Sequence, residues 1–200
     1  NNEDGEQRKA RLTNKMGKVQ MNLDTFYSKK EQRDESLLQD IFTGIKLYPP
    51  LGFDPWPDEK EKLKKVQYLY KTCIERRIPV IVHCSDGGFI TDPNGRHYSN
   101  PGNKWAMVLK EYQGLLIDFA HFGKQSSGPA TWEKTILRYF EQYDNVYTDI
   151  SCLGIEKEFY HDFAKYLDSS GEKHFLFGSD FLINLIWSES YNDYLSQFIS

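Results

Sequence analysis

From Gly44 onward, the chain alternates between short apolar runs and longer stretches in which apolar residues recur every three or four positions. The short runs are rich in Ile, Val, Leu, Phe or Tyr, and three of them lack strict alternation of apolar and polar residues. Strands that are apolar on both faces are typical of parallel sheets covered by helices. The pattern therefore predicts five parallel strands, within residues 44–50, 78–84, 114–122, 145–151 and 174–180.

The stretches between these runs have the spacing of amphipathic helices. In residues 57–77, apolar side chains such as Leu63, Val66 and Leu69 fall at three- and four-residue intervals, which places them on one helix face. Pro57 suits the first turn of this helix. The same spacing predicts further helices within residues 103–112, 128–143 and 156–170 and from residue 190 onward.

Alternating strands and helices predict an α/β fold. Polar residues near the ends of the predicted strands follow one another at intervals of 28 to 38 residues. These intervals bracket the roughly 31 residues per unit of a (β/α)8 barrel, so we expect a TIM-like barrel. The polar residues are Lys46, His83, His121, Asp149 and Asp180.

Eight strand–helix units do not fit into this sequence. Only 43 residues precede Gly44, and residues 18–27 supply one further candidate strand. We therefore expect residues 1–200 to form a single, partial barrel domain that is incomplete at its N-terminal side, with residues 1–43 poorly assigned. An open sheet is the alternative.

Composition and charge restrict the classes of partner. The formal net charge of −4 comes from interspersed charges, so we expect neither nucleic acid nor a membrane surface as a partner. No apolar run approaches the roughly 20 residues that span a bilayer, and the polar N-terminal segment does not resemble a signal peptide. The three cysteines form no CxxC pattern, which argues against a disulfide scaffold. We expect a cytoplasmic protein with a small-molecule substrate, and leave a homo-oligomer open.

Three of the strand-end residues have the chemistry of a metal site. The ends of parallel barrel strands meet at one face, so His83, His121 and Asp180 are expected to converge on one divalent metal ion. Imidazole and carboxylate groups suit Zn²⁺, with Mn²⁺ as the alternative. A bound ion lowers the pKa of water toward roughly 7, and a carboxylate then accepts the proton. The pattern predicts a site at which a metal ion activates water and a nearby carboxylate accepts its proton. For any single histidine, an ordinary core or surface position is the alternative.

Other residues are predicted to contact the substrate. Lys46 and Tyr48 share one face of their strand by alternation, and Lys46 is expected to face the pocket and pair with an acidic group. The glycine- and proline-rich residues 85–105 are expected to form a long loop over the site, where specificity is usually set. In that loop, Arg96 and His97 could contact an anionic substrate. A solvated turn is the alternative for this loop.

The local sequences around the strand ends indicate a protein family more specifically than the spacing of the strands does. The segments are GIKLYPPLGFDPW, PVIVHCS, LLIDFAHFG, NVYTDIS and LFGSDF. In this order they resemble the amidohydrolase superfamily, in particular its amidohydrolase-2-type metal-dependent hydrolases and decarboxylases, over roughly residues 44–198. The resemblance implies a TIM-like barrel in which His83 and His121 match the histidines of strands five and six and Asp180 matches the aspartate of strand eight. It also implies that Asp180 binds metal and handles the proton of the water, and that His121 is either a ligand or an acid/base group.

The sequence also departs from that family. Its first strand normally brings an H-x-H or E-x-H pair of ligands, and neither pair precedes Gly44. Without those ligands the remaining three form a weaker, more open site. In two-metal relatives a strand-four lysine, matched by Lys46, is carbamylated; pairing with an acidic group is the other interpretation. Asp149 also resembles a family position, and capping of neighbouring backbone is its alternative role.

Three hypotheses about function follow from these residues. The first is hydrolysis of a C–N or C–O bond in a small, carbonyl-containing substrate. The second is non-oxidative decarboxylation or hydration on the same scaffold, in which His121 is an acid/base group rather than a ligand. The third is a truncated, catalytically inactive barrel that binds or acts as a scaffold.

Overall fold

The described part of the chain divides into two compact units. A computed structural model of the protein describes residues 43–126, 128–154, 157–167 and 172–199. One unit covers residues 43–178, and the second includes the described residues from Ser179 onward. The candidate strand at residues 18–27 lies outside the described residues, and the single-domain arrangement stays a prediction.

The first unit is built on a parallel β-sheet. Its five strands are hydrogen-bonded in sequence order, β1 to β5, and every neighbouring pair is parallel. All five predicted strands and their parallel pairing are thereby confirmed. Among the described residues the sheet is not closed, since β1 and β5 each pair on one side. The strands are β1 Ile45–Leu47, β2 Val80–His83, β3 Ile117–Ala120, β4 Val146–Asp149 and β5 Phe175–Leu176.

Helices follow the strands as predicted. The helix expected from Pro57 begins at Lys60, because Glu59 still has extended backbone angles. Residues 85–105 are not a continuous loop, since they contain the short helix α2. Within the described residues, no helix combines the length and the apolar character needed to cross a membrane. The helices are α1 Lys60–Glu75, α2 Gly95–Ser99, α3 Lys104–Glu111, α4 Thr131–Phe140, α5 Lys157–Leu167, α6 Phe181–Asn184 and α7 Tyr191–Ile199.

One face of the sheet forms the hydrophobic core. Ile45, Val80, Ile117 and Val146 lie in register across four neighbouring strands, and they pack with large side chains from the helices. Burial of each large apolar side chain stabilises the fold by roughly 1.5–3 kcal/mol. The buried helical side chains of this core are Tyr70, Cys73, Trp105, Val108, Leu109, Trp132, Ile136 and Tyr139.

The opposite face carries the polar residues. Lys46, Ile81, Asp118 and Tyr147 lie in register on it. Alternation along each strand places the strand-end residues, such as His83, on the same face. The expectation of strands apolar on both faces is therefore wrong for this face. Polar side chains interrupt the apolar pattern on this face, and the same face leads to the candidate site at the carboxyl ends of the strands.

Candidate functional site

Two of the three predicted metal ligands lie next to each other. His83 ends β2 and His121 follows β3, and their ring centroids are 5.0 Å apart. Both side chains are buried, with 6% and 5% of their surface exposed. The rings meet edge to face, at an interplanar angle of 67°. Neighbouring parallel strands thus bring two imidazoles from distant parts of the sequence to one place.

The loop after β2 orients the ring of His83. The Nε2 atom of His83 is 3.1 Å from the carbonyl oxygen of Gly87. Because a carbonyl only accepts hydrogen bonds, Nε2 is the donor and carries the ring hydrogen in this contact. In the neutral ring, Nδ1 then has the lone pair with which a histidine binds a metal ion. The ring of Tyr48 packs on His83 at a centroid distance of 4.5 Å.

Gly88 permits the close approach of this loop. Its φ angle is +96°, in the left-handed region that favours glycine. A Cβ atom there would lie 2.5 Å from the hydroxyl oxygen of Tyr48 and 3.0 Å from Nε2 of His83. The backbone N–H of Phe89 donates to the same Tyr48 hydroxyl at 3.1 Å. The loop, Tyr48 and His83 are therefore packed as one group.

Replacing Gly88 by alanine is expected to displace this loop and disturb His83. The matched control is Gly128→Ala, because Gly128 also has a positive φ of 83° but a Cβ there would meet no atom within 4 Å. Both substitutions carry the left-handed backbone cost of about 1–2 kcal/mol, and only Gly88→Ala adds the clash. Urea unfolding and the ring NMR signals of His83 should therefore change more in Gly88→Ala; equal effects of the two variants would contradict this role of the loop.

The backbone at His121 has an unusual conformation. His121 and Phe122 have positive φ angles of 66° and 48°, which cost a non-glycine residue roughly 1–2 kcal/mol each. Hydrogen bonds offset this cost, since the backbone N–H of His121 donates to Oδ1 of Asp149 at 3.0 Å. Strained backbone of this kind is concentrated at functional sites, which makes His121 a functional candidate.

The ring of His121 is held by the residues after β4. Its Nδ1 atom is 2.7 Å from the hydroxyl oxygen of Ser151 and 3.2 Å from the carbonyl oxygen of Ser151. The same hydroxyl donates to Oδ1 of Asp149. Asp149 therefore caps neighbouring backbone, as one of its two predicted roles requires, and is also linked to the ring through Ser151.

Asp149 lies next to a second buried carboxyl group, that of Asp118. Burial, together with the neighbouring carboxylate of Asp149, raises the pKa of Asp118 from 3.8 to about 8, and the charge of Lys46 opposes the rise. Burial alone would raise the pKa of Asp149, but the charge of His121 and hydrogen bonds from Ser151 hold it below its ordinary value. At neutral pH, Asp118 therefore holds a proton and Asp149 is ionised. The charge of Lys46 acts on Asp118, and direct pairing of Lys46 with an acidic group stays a prediction.

Arg96 and His97 lie on the wall of a cavity of about 460 Å³, which is lined by neither His83 nor His121. Arg96 contacts the buried Asp86, with Nη2 3.5 Å from a carboxylate oxygen of that residue. Nδ1 of His97 is 3.0 Å from the amide nitrogen of Asn103. These contacts anchor the loop after β2, and recognition of an anionic substrate by Arg96 and His97 stays a prediction.

Asp180, the third predicted ligand, belongs to the second unit. It precedes α6 with a left-handed backbone, at φ 50° and ψ 52°, and its carbonyl oxygen accepts the N–H groups of Ile183 and Asn184. Its approach to the two histidines stays a prediction.

Comparison with known proteins identifies the family. A model of the family described as Amidohydrolase, of the Amidohydro_2 type, matches residues 29–194. This chain belongs to the amidohydrolase family. No curated protein matches the sequence. Among solved structures, it is similar to an uncharacterized TIM-barrel protein, Bb4693, from Bordetella bronchiseptica, with 20% identity and a TM-score of 0.53.

The structural likeness confirms an incomplete (β/α)8 barrel. The match covers 78% of this chain and 49% of the Bordetella protein, so the chain spans about half the length of that structure. At this identity the likeness concerns the fold alone. The amidohydrolase family supports a metal-dependent hydrolase or decarboxylase type of function in general.

The sequence contains one E-x-H triplet, Glu172 to His174. This triplet does not correspond to the E-x-H metal ligands of the family, because those lie at the end of the first barrel strand. It forms a 3₁₀ turn before β5. His174 is buried, stacks on Phe140 at 4.5 Å and has Nδ1 2.7 Å from the carbonyl oxygen of Val146. His174 is therefore a core residue.

Three residues of the candidate site were not predicted from the sequence: Gly88, Asp118 and Ser151. Ser151 had a detectable signal, because it lies two residues after Asp149 at a strand end and a short hydroxyl side chain there can bond its neighbour. Asp118 is a lone charge within an apolar strand, which indicates a special environment. Gly88 has no local signal, since its role depends on contacts across 40 residues of sequence to Tyr48.

Proposed function

We propose that this protein is a metal-dependent hydrolase that cleaves a C–N or C–O bond of a small, carbonyl-containing substrate. The observation that supports this proposal most strongly is the 5.0 Å distance between the ring centroids of His83 and His121. Membership of the amidohydrolase family supports the general class of reaction. Because the chain spans about half of the similar structure, the activity is proposed for the complete barrel.

The residues present fit a divalent metal ion. His83 has its ring hydrogen on Nε2, toward Gly87, and His121 has Nδ1 against Ser151. Each ring can then offer its other nitrogen to one ion. Catalytic zinc sites commonly use three protein ligands, and we assign the third to Asp180. Zn²⁺ is the proposed ion, and Mn²⁺ is the alternative that the same ligands accept.

The roles of the residues follow from their chemistry. When bound, the ion lowers the pKa of a water ligand and polarises a carbonyl group. Asp180 accepts a proton from the attacking water and delivers it to the leaving group. His83 and His121 are held by the loops after β2 and β4, which keeps the reacting groups aligned.

The substrate is proposed to lie on the polar face of the sheet. Lys46 and Tyr48 are on that face, and the Tyr48 ring packs on His83, so a substrate beside His83 would contact Tyr48. Arg96 and His97 are proposed to contact an anionic end of the substrate from their cavity. The interspersed charge of −4 supports a small molecule as substrate and agrees with a cytoplasmic protein.

A lyase reaction on the same scaffold is the second candidate. Here His121 would donate or accept a proton during decarboxylation or hydration. The buried hydrogen-bond chain from Asp149 through Ser151 to the ring of His121 favours it, because an acid/base histidine needs a fixed orientation and a polar partner.

A product screen tests the two candidates. The protein is loaded with Zn²⁺ or Mn²⁺ and assayed on small amides, lactones and aromatic carboxylic acids, with His83→Ala as the test variant. His161→Ala is the control, because His161 is exposed on α5. We expect metal-dependent hydrolysis that His83→Ala abolishes and His161→Ala retains. Metal-dependent CO₂ release would favour the lyase, and no turnover by the metal-loaded chain would favour the inactive fragment.

A further inference from the structure

The hydroxyl of Ser151 lies between a carboxylate and an imidazole. Its oxygen is 2.7 Å from Nδ1 of His121, and it also bonds Oδ1 of Asp149. All three side chains are buried. Burial makes each of these hydrogen bonds costly to lose, because an unpaired polar group there would have no water to replace its partner.

The direction of each hydrogen bond is fixed by the groups involved. Oδ1 of Asp149 is approached by three hydrogen-bonding groups, namely the backbone N–H of His121 at 3.0 Å, the backbone N–H of Ser151 at 2.9 Å and the Ser151 hydroxyl. An oxygen that receives two N–H groups is an acceptor, so the single hydroxyl hydrogen of Ser151 points to Asp149. The hydroxyl oxygen is then an acceptor toward His121.

A second contact gives the same result independently. The carbonyl oxygen of Ser151 is 3.2 Å from the same Nδ1 atom of His121. A carbonyl oxygen only accepts hydrogen bonds. Both groups of Ser151 that face Nδ1 therefore require the ring hydrogen on Nδ1, and the lone pair of the neutral ring is on Nε2.

From this geometry we propose that Ser151 and Asp149 are positioning residues that hold His121 as the Nδ1–H tautomer and present its Nε2 atom for metal binding or proton transfer. The inference rests on the proposed function for the use of Nε2, whereas the tautomer is argued from the two contacts of Nδ1 with Ser151. Partners of this kind set the tautomer and ring orientation of metal-binding histidines.

The tautomer is measured directly in the metal-free protein. Long-range ¹H–¹⁵N correlation spectra of protein labelled at the histidine ring nitrogens are recorded at a pH where the ring is neutral, and the His121 signals are assigned with His121→Gln. We expect a protonated Nδ1 and an unprotonated Nε2. A dominant Nε2–H form would overturn the proposal, whether or not the protein binds metal.

Ser151→Ala then tests the role of the hydroxyl. This change leaves only the longer contact to the Ser151 carbonyl, so we expect a mixture of tautomers and a loss of roughly 10- to 100-fold in Zn²⁺ affinity. Ser99→Ala is the matched control, because Ser99 is also buried but donates to the carbonyl of Gly95 within its own helix. Asp149→Asn, which removes the charge and adds a donor, is expected to shift the tautomer in the same direction.

The outcomes separate this inference from the proposed function. If the wild-type protein shows the Nδ1–H form but binds no Zn²⁺, the proposed function fails and the positioning of the ring stands. If Ser151→Ala has the wild-type spectrum and the wild-type Zn²⁺ affinity, the positioning role fails even though the metal site stands.

Discussion

Replacing Asp118 by asparagine is expected to stabilise the protein strongly at alkaline pH and only slightly near pH 4. The folded protein raises the pKa of Asp118 from 3.8 to about 8, so between these values the folded state holds a proton that the unfolded state has lost. The free energy of unfolding therefore falls as the pH rises through this window. Each unit of pKa shift corresponds to about 1.4 kcal/mol, and asparagine, which does not ionise, avoids this cost.

The measurement is urea unfolding of both proteins between pH 4 and pH 9. A rise of about four pKa units sets an upper bound of about 6 kcal/mol on the gain of Asp118→Asn at pH 9 relative to pH 4, and we expect a gain of several kcal/mol. Asp144→Asn is the control, because Asp144 is exposed, pairs with Lys173 at 2.8 Å and has a lowered pKa. Its contribution is lost as the pH falls, so its substitution should give no gain at alkaline pH. A pH-independent difference for Asp118→Asn would contradict the assignment of a buried, protonated carboxyl group.

The second large effect is expected from His83→Ala. Loss of one of two imidazoles should reduce Zn²⁺ affinity by more than ~100-fold, since even changes to groups that only orient a ligand cost about 10- to 100-fold. His121→Ala should have a similar effect. Affinity is measured by competition with a coloured chelator, and circular dichroism checks that each variant is folded.

The control for both histidine variants is His161→Ala, whose side chain is exposed on α5. It should retain the wild-type affinity. If His83→Ala or His121→Ala also retains that affinity, the two neighbouring rings are not metal ligands. The hydrolase proposal would then lose its structural support, and the inactive-fragment hypothesis would gain.

The sequence was sufficient to predict the order of the strands and helices along the chain. Each predicted strand contains an observed strand, and β2 ends on His83 as the pattern PVIVHCS indicated. Parallel pairing could be predicted because three of the apolar runs lack strict alternation and long helical stretches separate the runs. Parallel strands in sequence order then place His83 and His121 together, since both lie at the carboxyl ends of adjacent strands.

The orientation of these side chains could not be predicted from spacing. The tautomer of His121 depends on Ser151, which lies 30 residues further along the chain and reaches the ring only in the folded protein. Asp118 follows the pattern of a core strand apart from its charge. Its protonation depends on burial and on Asp149, both of which are properties of the folded protein.

The most direct test of the central claim is X-ray absorption spectroscopy of the protein loaded with zinc. The account predicts one zinc ion per chain, bound by two imidazole nitrogens at about 2.0–2.1 Å. A zinc ion without imidazole ligands, or a protein that retains no stoichiometric zinc, would contradict the claim that His83 and His121 share one metal ion.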